Sequence, residues 1–197
     1  MKISISVEPY LGDKIQLLPQ YLDEVQRLAI TNPDLSLHFD YFQNNQQALE
    51  LLQTYAHNVC TYVHVMGQTV PLGNFAVISA DVREMTSVSD ERHGIVIDLG
   101  CEIAGYETLI KQASYITIMA VKCGKSGQVF HPEVLELVPK IRALNPFAVL
   151  TIDGGVNPSN IEMVKKAGID IAVVGSYAVK SYENGVFQES VNRLLRV

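Results

Sequence analysis

The sequence predicts an α/β protein, a (β/α)8 barrel formed by residues 1–197 as one domain. Three observations lead there. Short β-rich runs recur eight times along the chain, helical patterns lie between many of them, and no low-complexity stretch or linker interrupts the alternation. A chain of 197 residues, 48% hydrophobic and 18% charged, has room for one sizeable core and little for a second.

The first run, ISISV at 3–7, precedes the helical pattern DKIQLLPQYLDEVQRLA. LSLHF at 35–39 precedes NQQALELLQTYA, whose apolar residues again recur at helical spacing. CTYVHV at 60–65, FAVISADV at 75–82 and GIVIDLG at 94–100 follow closely on one another. The span 66–93 is too tight for full-length helices after the third and fourth strands, so those crossovers are expected to be trimmed. YITIMAV at 115–121 leads to PEVLELVPKIRAL, and FAVLTID at 147–153 to NIEMVKKAG, which opens on the capping-type residues Asn157, Pro158 and Ser159. IDIAVVG at 169–175 completes the set. An open, doubly wound sheet is the rival architecture, but its Gly-rich turn after the first strand is absent.

Net charge is −6 and no Lys/Arg cluster occurs, so the electrostatic footprint of a nucleic-acid binder is missing and an anionic ligand must be held locally. MKISISVEPYLGD meets Glu8 and Pro9 before an apolar core of signal-peptide length develops, and no later run approaches a membrane span, which leads us to expect a soluble, cytoplasmic protein. Cys60, Cys101 and Cys123 are odd in number and far apart, the pattern of reduced structural thiols.

In a β/α barrel, ionisable side chains at the C-terminal ends of strands face the active site. His38 and Asp40 end the second run, His64 the third and Asp153 the seventh. A lone histidine in such a place is usually a hydrogen-bonded core residue and a lone aspartate a turn or cap residue. Two of each, of matching parity, have the ligand types for one divalent metal such as Zn, Fe or Mn, which would offset the cost of burying charge. Glycines form a second group. Gly154 and Gly155 follow the seventh strand, Gly175 and Ser176 the eighth, and the loop after the sixth contains Gly124, Lys125, Ser126 and Gly127. Taken singly these are turn residues. Together they suit a phosphate approached by backbone N–H groups, with Lys125 and Ser126 closing over it. Met66 and Met119 have inward parity and either line the pocket or fill the core.

These residues resemble those of the ribulose-phosphate 3-epimerases. The family's His, any residue, Asp on the second strand is similar to His38, Phe39, Asp40, and its His-Leu-Met to His64, Val65, Met66. Its Asp-Gly-Gly followed by Asn resembles Asp153, Gly154, Gly155, Val156, Asn157, its Gly-Ser resembles Gly175, Ser176, and its sixth-strand segment resembles Met119 through Phe130. The match is tight from about Tyr115 onward and patchy before. Tyr41, Phe42 and Gln43 stand where the family has Met-Asp-Gly, Lys122 and Cys123 where it has Asn-Pro, and only Ser6 matches its Pro-Ser after the first strand.

The resemblance implies a (β/α)8 barrel, one divalent metal held by His38, Asp40, His64 and Asp153, and inversion at C3 of a ketopentose 5-phosphate with Asp40 and Asp153 as the proton-transferring pair. The changed residues around the sugar leave open another ketose phosphate, such as a hexulose 6-phosphate, or a non-catalytic sugar-phosphate-binding barrel. A different phosphate-binding barrel, such as a decarboxylase or an aldolase, ranks third, because the best candidate for a Schiff-base lysine, Lys122, lies at the edge of a loop. Association into a homo-oligomer is a further expectation for a barrel with trimmed crossovers.

Overall fold

A computed structural model describes residues 1–10, 14–41, 46–67, 70–124 and 127–197. Its eight strands are β1 (Lys2–Ser6), β2 (Leu35–Tyr41), β3 (Thr61–Val65), β4 (Val77–Asp81), β5 (His93–Ile97), β6 (Tyr115–Met119), β7 (Val149–Asp153) and β8 (Ile171–Val174). Each pairs in parallel with the next, and β8 returns to β1, closing the barrel in sequence order. All eight expected strands are present, several shorter than the apolar runs suggest.

Register explains how one sequence supplies both a core and a site. Residues paired in register share a face of the sheet. On the outward face stand Ile3, Ile5, Leu37, Phe39, Val63, Ile95, Ile116, Ile118, Leu150 and Ile152, all buried. The inward parity carries smaller polar residues, with Ser4, Ser36, Ser79, Thr117 and Thr151 also buried. At the C-terminal rim that parity brings Ser6 beside His38, Asp40 beside His64, and Met119 beside Asp153. The site residues are therefore the top of the barrel lining, lifted out of the core by strand alternation alone.

The helices are α1 (Leu18–Thr31), α2 (Gln46–Tyr55), α3 (Glu107–Gln112), α4 (Leu137–Leu144), α5 (Ile161–Lys166), α6 (Ser176–Glu183) and α7 (Phe187–Leu195). Helix α1 buries Leu18, Tyr21, Leu22, Val25 and Leu28, one apolar stripe at three- and four-residue spacing, and takes Pro19 in its first turn, where no intrahelical N–H is lost. The expected helices at 13–29 and 132–144 each begin as a 3-10 turn, at Ile15–Leu17 and Pro132–Glu136. The capping expected from Asn157 also differs in detail. The Asn157 side chain accepts from Ser159 N and Oγ at 2.9 and 2.6 Å, which shapes the turn, while Asn160 is the residue that precedes α5.

The crossovers after β3 and β4 are trimmed, as the spacing requires. Among the described residues no helix joins β3 to β4, and only the 3-10 turn Val82–Glu84 joins β4 to β5. Phe75 and Val82, the ends of the expected 75–82 strand, leave the sheet and are buried, and Leu72, Met85 and Val88 pack beside the core where helices would otherwise lie. After β8 the chain adds two helices in place of one. Phe187 of α7 and Tyr182 of α6 meet Tyr21 of α1 at ring-centroid distances of 5.4 and 5.1 Å. Among the described residues no helix is long and apolar enough to cross a membrane.

Candidate active site

His38 and Asp40 come from β2, His64 from β3 and Asp153 from β7, and all four side chains converge at the C-terminal mouth of the barrel. His38, Asp40 and His64 are at most 7% exposed, and the Asp153 side chain is 14% exposed. His64 Nδ1 lies 3.1 Å from Asp40 Oδ1. His38 Nδ1 has no hydrogen-bond partner, although it is buried, and sits 3.7 Å from Asp40 Oδ2 and 4.0 Å from Asp153 Oδ2.

The two carboxylates are driven in opposite directions. Burial pushes Asp153 up to about 6, with the nearby Asp40 charge adding to the rise and His38 opposing it. Burial also works against ionisation of Asp40, but the His38 charge and the hydrogen bond from His64 outweigh it and hold that carboxyl below its ordinary value. His64 is buried too, and the Asp40 hydrogen bond and charge, joined by Asp153 and Asp81, raise it nonetheless.

His38, Asp40 and Asp153 each offer one ligand atom, and these atoms lie within 4.8 Å of one another. The orphaned His38 nitrogen facing two carboxylate oxygens fits a divalent cation, since an imidazole lone pair and two anionic oxygens are left without a donor between them. His64 stands one contact further out in this arrangement, with Nδ1 directed at Asp40.

The glycine-rich backbone forms part of the same cavity, which is lined by Ser6, Asp40, Met66, Met119, Gly124, Gly127, Asp153, Gly154, Gly155, Gly175 and Ser176. Gly155 has φ +67, and a Cβ there would stand 2.7 Å from Phe130 N, so the turn needs glycine on both conformational and steric grounds. Its carbonyl accepts from Asn157 Nδ2 and Asn160 Nδ2 at 2.9 and 3.0 Å, which accounts for the Asn that follows the Gly-Gly. Gly175 is different. A Cβ there would meet only Ser6, at 3.5 Å, an ordinary contact. Lys125 and Ser126, expected to close over a phosphate, lie outside the described residues, as do Phe42 and Gln43.

With this geometry in hand, comparison with known proteins is decisive on one point. The model of the Ribulose-phosphate 3 epimerase family matches residues 11–179. The chain belongs to that family. It is 33% identical over 105 residues to ribulose-phosphate 3-epimerase from Helicobacter pylori, covering 51% of this chain and 48% of that protein. It is 37% identical over 87 residues to ribulose-phosphate 3-epimerase from Aquifex aeolicus, covering 42% of this chain and 39% of that one. These alignments span half or less of each relative's length. Among solved structures, tryptophan synthase from Mycobacterium tuberculosis superposes with a TM-score of 0.68 over 98% of this chain and 90% of that one, at 10% identity. That likeness shows the shared barrel alone.

For a member of the ribulose-phosphate 3-epimerase family, the pocket wall joins motif and non-motif positions. Glu8, outside the motifs, and Lys122, Cys123 and Gln128, within the Met119 to Phe130 segment, also line the cavity. Asp81 ends β4 and Asp98 immediately follows β5. Both satisfy the strand-end criterion that singled out His38, Asp40, His64 and Asp153. Applied to every strand, that criterion finds them from the sequence.

Proposed function

We propose that this chain is a metal-dependent epimerase that inverts C3 of a ketose phosphate, interconverting D-ribulose 5-phosphate and D-xylulose 5-phosphate. The observation that carries the reading is the pairing of Asp40 and Asp153, two carboxylates on different strands, driven apart in proton affinity within one cavity that also contains a glycine backbone cradle. Environments that separate two titrating groups are what acid and base roles at one carbon require.

A proton alpha to a ketone is only weakly acidic. A divalent cation held by His38, Asp40, His64 and Asp153 would supply polarisation of the C2 carbonyl. Asp153 removes or returns the C3 proton on one face, and Asp40 does so on the other, so that the planar enediolate between them is reprotonated from the side opposite to its formation. For His64 to serve as a ligand its ring must be uncharged, and because Asp40 favours its protonated form, assembly of the site is pH-dependent. Gly154 and Gly155 after β7, with Gly175 and Ser176 at the start of α6, hold the phosphate through backbone N–H groups, and Gly124 and Gly127 line the same cavity. Ser6, Met66 and Met119 complete the sugar pocket.

The test is elemental analysis of protein purified without chelator, followed by a screen of ketose phosphates that includes a hexulose 6-phosphate. About one divalent metal per chain and conversion of D-ribulose 5-phosphate are expected. A metal-free protein that resists loading and is still active refutes the ligand set. A metal-loaded protein that turns over no ketose phosphate refutes the epimerase reading. The hexulose phosphate belongs in the screen because Lys122 and Cys123 replace the family's Asn-Pro in the cavity wall.

A further inference from the structure

The crossover between β4 and β5 contains a group of contacts that the proton-transfer chemistry does not use. Arg83, in the turn Val82–Glu84, grips Asp81 bidentately, with Nε on Oδ1 at 2.8 Å and Nη2 on Oδ2 at 2.5 Å. The same Nη2 donates to Asp98 Oδ2 at 2.8 Å. The other oxygen of Asp98 accepts from Leu99 N at 2.9 Å and from the Cys123 thiol at 3.4 Å. Cys123 lines the cavity beside Asp40, Met66 and Met119. One arginine thus links the ends of β4 and β5 to the loop after β6.

An exposed ion pair contributes little to stability as a rule, but a bidentate Arg–carboxylate within a network is the exception, and the Asp81 and Asp98 side chains are only 13% and 16% exposed. We propose that Arg83 is a positioning residue for the sugar pocket: anchored on both oxygens of Asp81, it fixes Asp98, which holds the Cys123 wall. This rests on reading the cavity as the sugar site.

The effect on Cys123 is specific. Its thiol is held as a donor to an Asp98 carboxylate oxygen at 3.4 Å, and burial together with the Asp98 charge pushes it well above the ordinary thiol range, so slow alkylation is expected. Cys60 is exposed and serves as an internal reference.

The experiment compares the wild-type protein with Arg83→Met and Arg83→Lys. Iodoacetamide labelling of Cys123 and Cys60 is followed by peptide mass mapping, alongside kcat and KM of the metal-loaded proteins for D-ribulose 5-phosphate and competitive inhibition by inorganic phosphate. In Arg83→Met, Cys123 should label about tenfold faster relative to Cys60. Its kcat should fall about ten- to a hundredfold through misplacement of the wall, with phosphate inhibition unchanged. Arg83→Lys keeps the charge but loses the fork, and should recover only part of each effect. Labelling or kcat that stays at the wild-type value in Arg83→Met overturns the proposal. If Arg83→Met does not fold, Arg83→Lys is read in the same way, and wild-type values for both quantities overturn the proposal there. Labelling needs no turnover. A wild type that fails to epimerise therefore refutes the functional reading, while the labelling ratio still decides whether Arg83 holds Cys123.

Discussion

The two sides of the barrel mouth are built by different means. From β6 to β8 the rim is backbone. Ala120 N donates to Asp153 O at 2.6 Å, His131 N to Ala120 O at 3.0 Å, and two asparagine side chains hold the Gly155 carbonyl. From β3 to β5 the rim is side chain, with Arg83 joining Asp81 and Asp98, and the buried Val82 following β4 where a helix would otherwise begin. A rim made of backbone demands particular residues at consecutive positions and leaves a contiguous signature in the sequence. A rim made of side chains draws on positions far apart and leaves none.

The largest effect is expected where the two sides meet. Asp153→Asn should lower the epimerisation rate about 10³-fold or more with metal content retained, because one face of C3 loses its proton-transfer group. Steady-state kinetics on a variant shown to be metal-loaded checks this, and a near-wild-type rate would break the assignment.

Next in size is a pH effect in metal-free protein. Asp153 is raised from the ordinary 3.8 to about 6, so the folded state keeps a proton that the unfolded chain has already released. The stability this contributes, about 3 kcal/mol, is fully present below pH ~4 and lost as pH rises through about 6. Urea unfolding of chelator-treated protein between pH 4 and 7 should show this decline, Asp153→Asn should flatten it, and a divalent metal should restore stability at the upper end. An unchanged slope in Asp153→Asn would show that another group is responsible.

The backbone-built side is sharpened by two glycine substitutions. Gly155→Ala should cost about 2–3 kcal/mol and lower Tm by several degrees, since its φ of +67 and the 2.7 Å approach to Phe130 N leave no room for a methyl group. Gly175→Leu should leave Tm and metal content near their wild-type values and raise KM about tenfold by obstructing the anion. Equal Tm losses in the two variants would erase the distinction between a glycine required by the turn and one required by the ligand.

How much of this was legible in the sequence follows the same division. The barrel could be read because its parallel strands are buried on both faces and so appear as apolar runs. His38, Asp40, His64 and Asp153 stood out as ionisable residues ending such runs, Gly154 and Gly155 because backbone geometry restricts what may occupy those positions, and Gly175 and Ser176 only as small residues ending the eighth run. The early end of β4 could not be read, because Phe75 and Val82 are as apolar as strand residues and only their packing places them outside the sheet. Nor could the Arg83 linkage, which joins Asp81, Asp98 and Cys123 through side-chain contacts that no sequence spacing marks.

The most direct test of the central claim, that two carboxylates serve opposite faces of C3, is turnover in heavy water. Metal-loaded wild type should place solvent deuterium at C3 of the product. Asp153→Asn should exchange the C3 proton of one epimer only, and Asp40→Asn that of the other, each with its metal content measured so that loss of the ion is not mistaken for loss of the base. Product free of deuterium at C3, or metal-loaded single variants that both exchange the same epimer, would contradict the two-carboxylate assignment.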